Sequence, residues 1–468
     1  MTSEAKLAPW ATATEIAAAV KAGKTTAVAV TEQALARIAT VDKTLNAFTG
    51  ITAERALATA RDVDAALGKG KDAGPLAGAP FAVKNLFDVK GLPTLAGSKI
   101  NRDLAAASND ATLVTRMEAA GAVLLGALNM GEYAYDFTGE NAHDGPSRNP
   151  HDTTRMTGGS SGGSGAAVAG GLATIALGSD TNGSIRVPSS FCGLFGLKPT
   201  YGRLSRARTF PFVSSFDHLG PLARSVADLA VSYDAMQGPD AADPACTGRA
   251  PEPVTAALER GIDGLRIAVA GDYFRVGAHA EAIEAVTRVA KALGVAREVI
   301  IPEAARARAA AFIITTTEGA SLHLDRVRRR AADFDPEVRD RLISGAMLPA
   351  AFTVKAQKFR RWYRDQVLAL FKDVDAIIAP ATPTPAPRIG QKTLMLDGVE
   401  MPLRPNIGIF TQPISFIGLP VVAVPVPLQP LPIGVQIITA PWREDLALRI
   451  ARVLEQQGVA AAPRPALN

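Results

Sequence analysis

PFAVKNLF, residues 80–87, decides how the chain is read. It is short and apolar, like a strand buried on both faces. NDATLVTRMEAAG (109–121) follows with helical spacing and an Asn or Asp in the capping position, and AVLLGAL (122–128) is apolar again. Strand, helix, strand in that order predicts a parallel pair, because parallel neighbours need a crossover and their buried strands read as continuous apolar runs. The alternation resumes downstream in LRIAVAGD (265–272), HAEAIEAVTRVAKALG (279–294), REVII, DAIIAP (375–380), PVVAVPV (420–426) and the closing helix EDLALRIARVLEQQG (444–458). Near the start, ATEIAAAVKAG and AVTEQALARIATVD carry helical spacing, and Gly23 ends the first. These segments predict an α/β fold with a mainly parallel sheet covered by helices. No internal repeat and no long polar linker divides the 468 residues, so one large domain is expected. Its parts are N-terminal helices (1–70), a core (75–235), a mostly helical excursion (240–372) and a C-terminal part that completes the sheet (373–468).

Composition removes several classes of function. Apolar residues make up 47% and charged residues 20%, which excludes a disordered chain. The net charge of +5 is mild for this length. RVRRR (326–330) and KFRRWYR (358–364) read as solvated helix faces or ion-pair partners, with attraction of an acidic substrate as the second reading, and no nucleic-acid site is expected. Cys192 and Cys246 form neither a CxxC motif nor a disulfide framework, which suits a reducing cytoplasm. MTSEAKLAPWATATE has no leader pattern, and the apolar run 416–440 is broken by Pro420, Pro425, Pro427, Pro430 and Pro432, so no membrane span is expected. The five histidines have no zinc spacing, and GKGKDAG (68–74) is not a phosphate loop, so neither metal nor cofactor is expected.

The chemistry lies in MTGGSSGGSGAAVAGG (156–171) and GSDTNGSIR (178–186). Gly158-Gly159-Ser160-Ser161-Gly162 matches the GxSxG elbow, which would need Asp180 and His218 as partners. A serine can instead give its proton to a lysine kept neutral by burial. Lys84, flanked by apolar residues in PFAVKNLF, is that candidate; otherwise it ends the strand and reaches water. Thr181-Asn182-Gly183-Ser184 is turn-prone, and successive N–H groups there could form a nest for an oxyanion or simply an Asn-Gly turn.

Together, Lys84, GGSSGGS (158–164), GSDTNGSIRVPSSFCGLFGLKPTYGR (178–203) and PIGVQII (432–438) resemble the amidase signature family. The resemblance implies a single large domain on a mixed sheet and amide hydrolysis by a Ser–cisSer–Lys triad. It implies Ser184 as nucleophile, Ser160 as bridging serine with a cis peptide, and Lys84 as base. The amides of Thr181, Asn182, Gly183 and Ser184 match the oxyanion hole, with Ser161, Asp180 and Arg186 in support. The family usually has Gly-Gly before the nucleophile, whereas Asn182-Gly183 stands here, placing a side chain at the mouth of the hole that either touches substrate or points away.

TGENAHDGPSRNPHD (138–152) is similar to a branch that releases ammonia from a small carboxylated amide of the biuret type. Such an anion would need a positive anchor, either Arg186 or an arginine from 326–364. The alternatives are the glutaminase subunit of a tRNA-dependent amidotransferase, or an amidase for another small amide. The branch implies a small helical partner chain, in a heterotetramer, or else a homodimer of the large chain.

Overall fold

The computed structural model describes residues 8–466. Residues 1–7, on which part of the leader reading rests, and 467–468 lie outside it. Eleven strands form the main sheet among the described residues. They are β1 (Phe48–Ile51), β2 (Pro80–Lys84), β3 (Val123–Leu128), β4 (Ile175–Asp180), β5 (Phe195–Lys198), β6 (His218–Ala223), β7 (Ile267–Ala270), β8 (Glu298–Val299), β9 (Ala376–Pro380), β10 (Val421–Val426) and β11 (Ile433–Thr439). Their order across the sheet is β1-β3-β2-β4-β6-β5-β10-β11-β9-β7-β8.

This is the expected α/β architecture, with one shift of emphasis. Parallel pairing is confined to β3-β2-β4 and β9-β7-β8, and the other six contacts are antiparallel. The sheet is therefore mixed, with antiparallel contacts in the majority, rather than mainly parallel. The reason is local: only six residues, 427–432, join β10 to β11, too few for a parallel crossover. The strands from β3 to β9 across the sheet are buried at every residue, which is why they read as unbroken apolar runs.

The helix expected at 109–121 begins at Thr112, with Ala111 as its cap. Asp110 does not cap it because its carboxylate is taken elsewhere. It accepts from Arg55 at 2.8 and 2.9 Å and from the Lys90 amide at 2.8 Å. Helices Pro336–Ala346 and Ala350–Leu370 both pack on Ala304–Arg330, which also packs on Gln412–Ser415. That layer carries Thr315 and Arg341 to the open end of β4. No helix among the described residues is long and apolar enough to cross a membrane.

Candidate active site

The Gly/Ser tract is folded and rigidly packed. Residues Gly162–Ala169 form a helix in which every residue is buried. Glycine and serine are poor helix formers, so packing rather than propensity holds it. Gly163 shows why the side chains are so small: an added Cβ would sit 2.5 Å from the Ala47 carbonyl and 2.6 Å from Asn129 backbone atoms. The tract is also pinned from outside. Gly159 N–H donates to Phe137 O at 2.8 Å, Gly163 N–H to Asn129 O at 2.9 Å, and Gly131 N–H to Ser160 O at 3.1 Å.

Lys84 ends β2 but does not reach water. It is fully buried, with Nζ 2.6 Å from Ser160 Oγ and 2.9 Å from Ser179 Oγ. The peptide between Gly159 and Ser160 is cis. Burial pushes the Lys84 amine down to about 7, against the opposing pull of Asp217, Asp180 and Asp136. At neutral pH a large share of Lys84 is therefore unprotonated and able to accept a proton. Ser161 Oγ lies 3.2 Å from Ser179 O and fastens the tract to β4.

Residues Thr181–Ser184 follow β4 in a turn. Their four backbone N–H groups find no acceptor among the described residues, so the turn keeps the unspent donors that an oxyanion nest would need. Gly183 has φ +143°, and an added Cβ would lie 2.3 Å from Thr411 Oγ1, so only glycine fits. Thr411 Oγ1 donates to the Asn182 carbonyl at 2.6 Å and fixes the turn. The Ser184 hydroxyl has no hydrogen-bond partner among the described residues and lines a pocket. The walls include Tyr135, Thr181, Asn182, Thr315, Arg341 and Gln412.

Asp180 and Arg186 pair beneath the nest, through Nε to Oδ2 and Nη2 to Oδ1, each at 2.9 Å. Burial alone would raise the Asp180 carboxyl, yet Arg186 holds it well below the usual carboxylate range. Arg186 also donates to Thr411 O at 3.1 Å, Gln436 Oε1 at 2.7 Å and Ser415 Oγ. All five of its N–H groups are spent inside the protein, and it is fully buried. Arg186 is thus a structural tie and not the free positive anchor that the sequence allowed. Arg341, within the 326–364 region, is the cation that lines the pocket with Ser184. Its guanidinium lies 4.0 Å over the Tyr135 ring and donates from Nε to Glu337 O at 2.6 Å and from Nη2 to Tyr135 O. Its Nη1 has no acceptor among the described residues.

The elbow alternative fails on geometry. His218 is buried with Nδ1 against Phe216 O (2.5 Å) and Asp180 O (3.1 Å), not against Ser160. Sequence reasoning missed Ser179, Asp217, Thr315 and Gln412, and it reached Arg341 only as one of the arginines in 326–364. Asp217 accepts from Thr181 Oγ1 at 2.6 Å and from the Phe212 and Val213 amides, while burial pushes its carboxyl up. Ser179 carried a sequence signal, since it sits within the SDTNGS block; the others come from segments with no motif of their own. Groups of metal-ligating side chains that could hold an ion are absent among the described residues.

Comparison with known proteins gives the family. The Amidase family model matches residues 29–448. AtzE, a 1-carboxybiuret hydrolase subunit from Pseudomonas sp. (strain ADP), is 56% identical over 95% of this chain and 98% of its own length. A glutamyl-tRNA(Gln) amidotransferase subunit from Koribacter versatilis (strain Ellin345) is 38% identical over 93% of this chain and 96% of its own. One solved structure, described as a vestigial protein complex that reveals the origins of an s-triazine catabolic enzyme, superposes with a TM-score of 0.96 at 55% identity. It covers 97% of this chain and 100% of its own. The fold, the burial of Lys84 on Ser160 and these likenesses lead to one conclusion: the chain belongs to the amidase signature family.

Proposed function

We propose that this chain releases ammonia from a small, carboxylated, urea-like amide such as 1-carboxybiuret, through an acyl-enzyme on Ser184. The observation that carries the proposal is the nest of four unspent N–H groups ending at a serine hydroxyl that faces the pocket. In this reading Ser184 Oγ attacks the amide carbon. Its proton passes to Ser160, whose own proton goes to Lys84 Nζ. The carbonyl electron pair moves onto oxygen and is held by the amides of Thr181, Asn182, Gly183 and Ser184. One such donor is typically worth roughly 3–4 kcal/mol in the transition state. The C–N bond then breaks, the nitrogen takes back the proton and leaves as ammonia. Water, deprotonated by the same relay, attacks the acyl carbon and frees Ser184. Ser161, Asp180 and Arg186 support the nest from below.

Arg341 supplies the positive anchor for the substrate carboxylate in this reading. The 56% identity to AtzE supports this substrate class over glutamine, since the amidotransferase relative stands at 38%. The reading includes a small helical partner chain, supported by the description of the 0.96 TM-score neighbour as a complex. The test is ammonia release from a panel of 1-carboxybiuret, biuret, allophanate, malonamate, indoleacetamide and glutamine. Preference for 1-carboxybiuret is expected. Preference for glutamine or a neutral amide contradicts the substrate.

A further inference from the structure

We propose that the side chain of Asn182 reads a urea-type N–H in the acyl part of the substrate and so sets the enzyme's preference for ureido over aliphatic amides. The inference rests on the function proposed above. Asn182 is 6% exposed and lines the pocket beside Ser184. Its Nδ2 donates to Thr315 Oγ1 at 2.9 Å, and Thr315 is itself 2% exposed. With Nδ2 held there, Oδ1 is left buried with no hydrogen-bond partner. A buried acceptor without a donor is a cost that natural proteins rarely carry without purpose. A ligand N–H in the pocket would satisfy it.

The neighbouring wall completes a pattern. Gln412 Oε1 accepts from Arg308 Nε at 3.0 Å, which turns the Gln412 amide so that Nε2 is its free donor. Gln412 and Arg341 line the same pocket. The wall therefore offers one fixed acceptor, one fixed donor and one cation. A ureido group bearing a carboxylate presents the complement: an N–H, a carbonyl and a negative charge. An aliphatic amide has a methylene where the ureido N–H would be. It leaves Oδ1 unpaired and gains nothing from Asn182. A glycine at this position could not make the distinction.

Biuret and malonamide differ only in NH against CH2 at the central atom, which makes them the probes. Their dissociation constants are measured by ligand-observed NMR on the full chain carrying Ser184→Ala, which cannot turn them over. Biuret is expected to bind tighter by about tenfold or more, the usual consequence of leaving a buried acceptor unpaired. Adding Asn182→Ala is expected to bring the ratio to within about twofold, and adding Thr315→Val instead to give an intermediate ratio as the amide loses its tether. A ratio unchanged by Asn182→Ala, equal binding of the two probes to the parent, or binding of neither overturns the inference. Ammonia release from 1-carboxybiuret by the unaltered enzyme decides the function separately, because it is read without these probes.

Discussion

Two lysines, Lys84 and Lys198, end neighbouring parts of the same sheet and look alike by burial. Both are fully buried, and burial pushes both amines down to about 7. Their partners differ. Lys84 Nζ faces two hydroxyls, Ser160 and Ser179. Lys198 Nζ donates to two carbonyls, Leu419 O and, at 3.1 Å, Pro199 O. A carbonyl only accepts, so it holds an amine that keeps its protons. A hydroxyl can also donate, so it can hand a proton to a neutral amine. Burial alone therefore does not make a base. A low affinity for protons must meet a group able to give one.

Substitution tests the contrast, and the largest effect is expected in the proposed relay from Ser184 through Ser160 to Lys84. Ser184→Ala is expected to lower kcat by a factor on the order of 10^4 or more, as loss of a nucleophile does elsewhere. Lys84→Ala is expected to cost about 10^3 to 10^4 in kcat, measured as ammonia release, with the fold intact by circular dichroism. An active Lys84→Ala enzyme would remove the distinction between the two lysines.

Arg341→Met tests the pocket wall and not the relay. It removes a charge-assisted contact, so KM for the carboxylated substrate is expected to rise about 10- to 100-fold with kcat changed less. Equal loss on neutral biuret would argue against a carboxylate anchor.

The two lysines are also expected to differ in pH dependence. A base must be neutral to accept a proton, and Lys84 becomes protonated as pH falls below about 7. On the acid side kcat/KM is therefore expected to fall about tenfold per pH unit, and to level off above neutrality. Lys198→Met is expected to keep that limb in place. It leaves the Pro199 and Leu419 carbonyls unpaired, which costs about 1–3 kcal/mol each before repacking, and is read as a lower Tm. Loss of the acid limb in Lys198→Met would assign it to the wrong lysine.

The same contrast explains what the sequence made legible. Lys84 stood out because a charge inside PFAVKNLF has no cheap way to be buried, and the tract at 156–171 was too glycine-rich for a folded core unless backbones pass closely. Both are local signals, and both led to the site. Arg186 was legible as a charge but not as a spent one, because its partners Thr411, Ser415 and Gln436 lie more than 200 residues away. Thr315 and Gln412 were invisible, and Arg341 could not be singled out from the arginines of 326–364, for a related reason. They sit on helices whose own periodicity records only packing, and tertiary contact alone carries them to Ser184. The balance of parallel and antiparallel pairs was likewise hidden, since a buried strand reads the same in either direction.

In the proposed reaction Ser184, and not Ser160, forms the covalent bond. Trypsin leaves both on one peptide, residues 156–186, which follows Arg155 and ends at Arg186. Labelling the enzyme with a serine-directed phosphonate and fragmenting that peptide in the mass spectrometer locates the adduct directly. Phosphorus is expected on Ser184, with no label in Ser184→Ala. Phosphorus on Ser160 would contradict it and return the elbow to consideration.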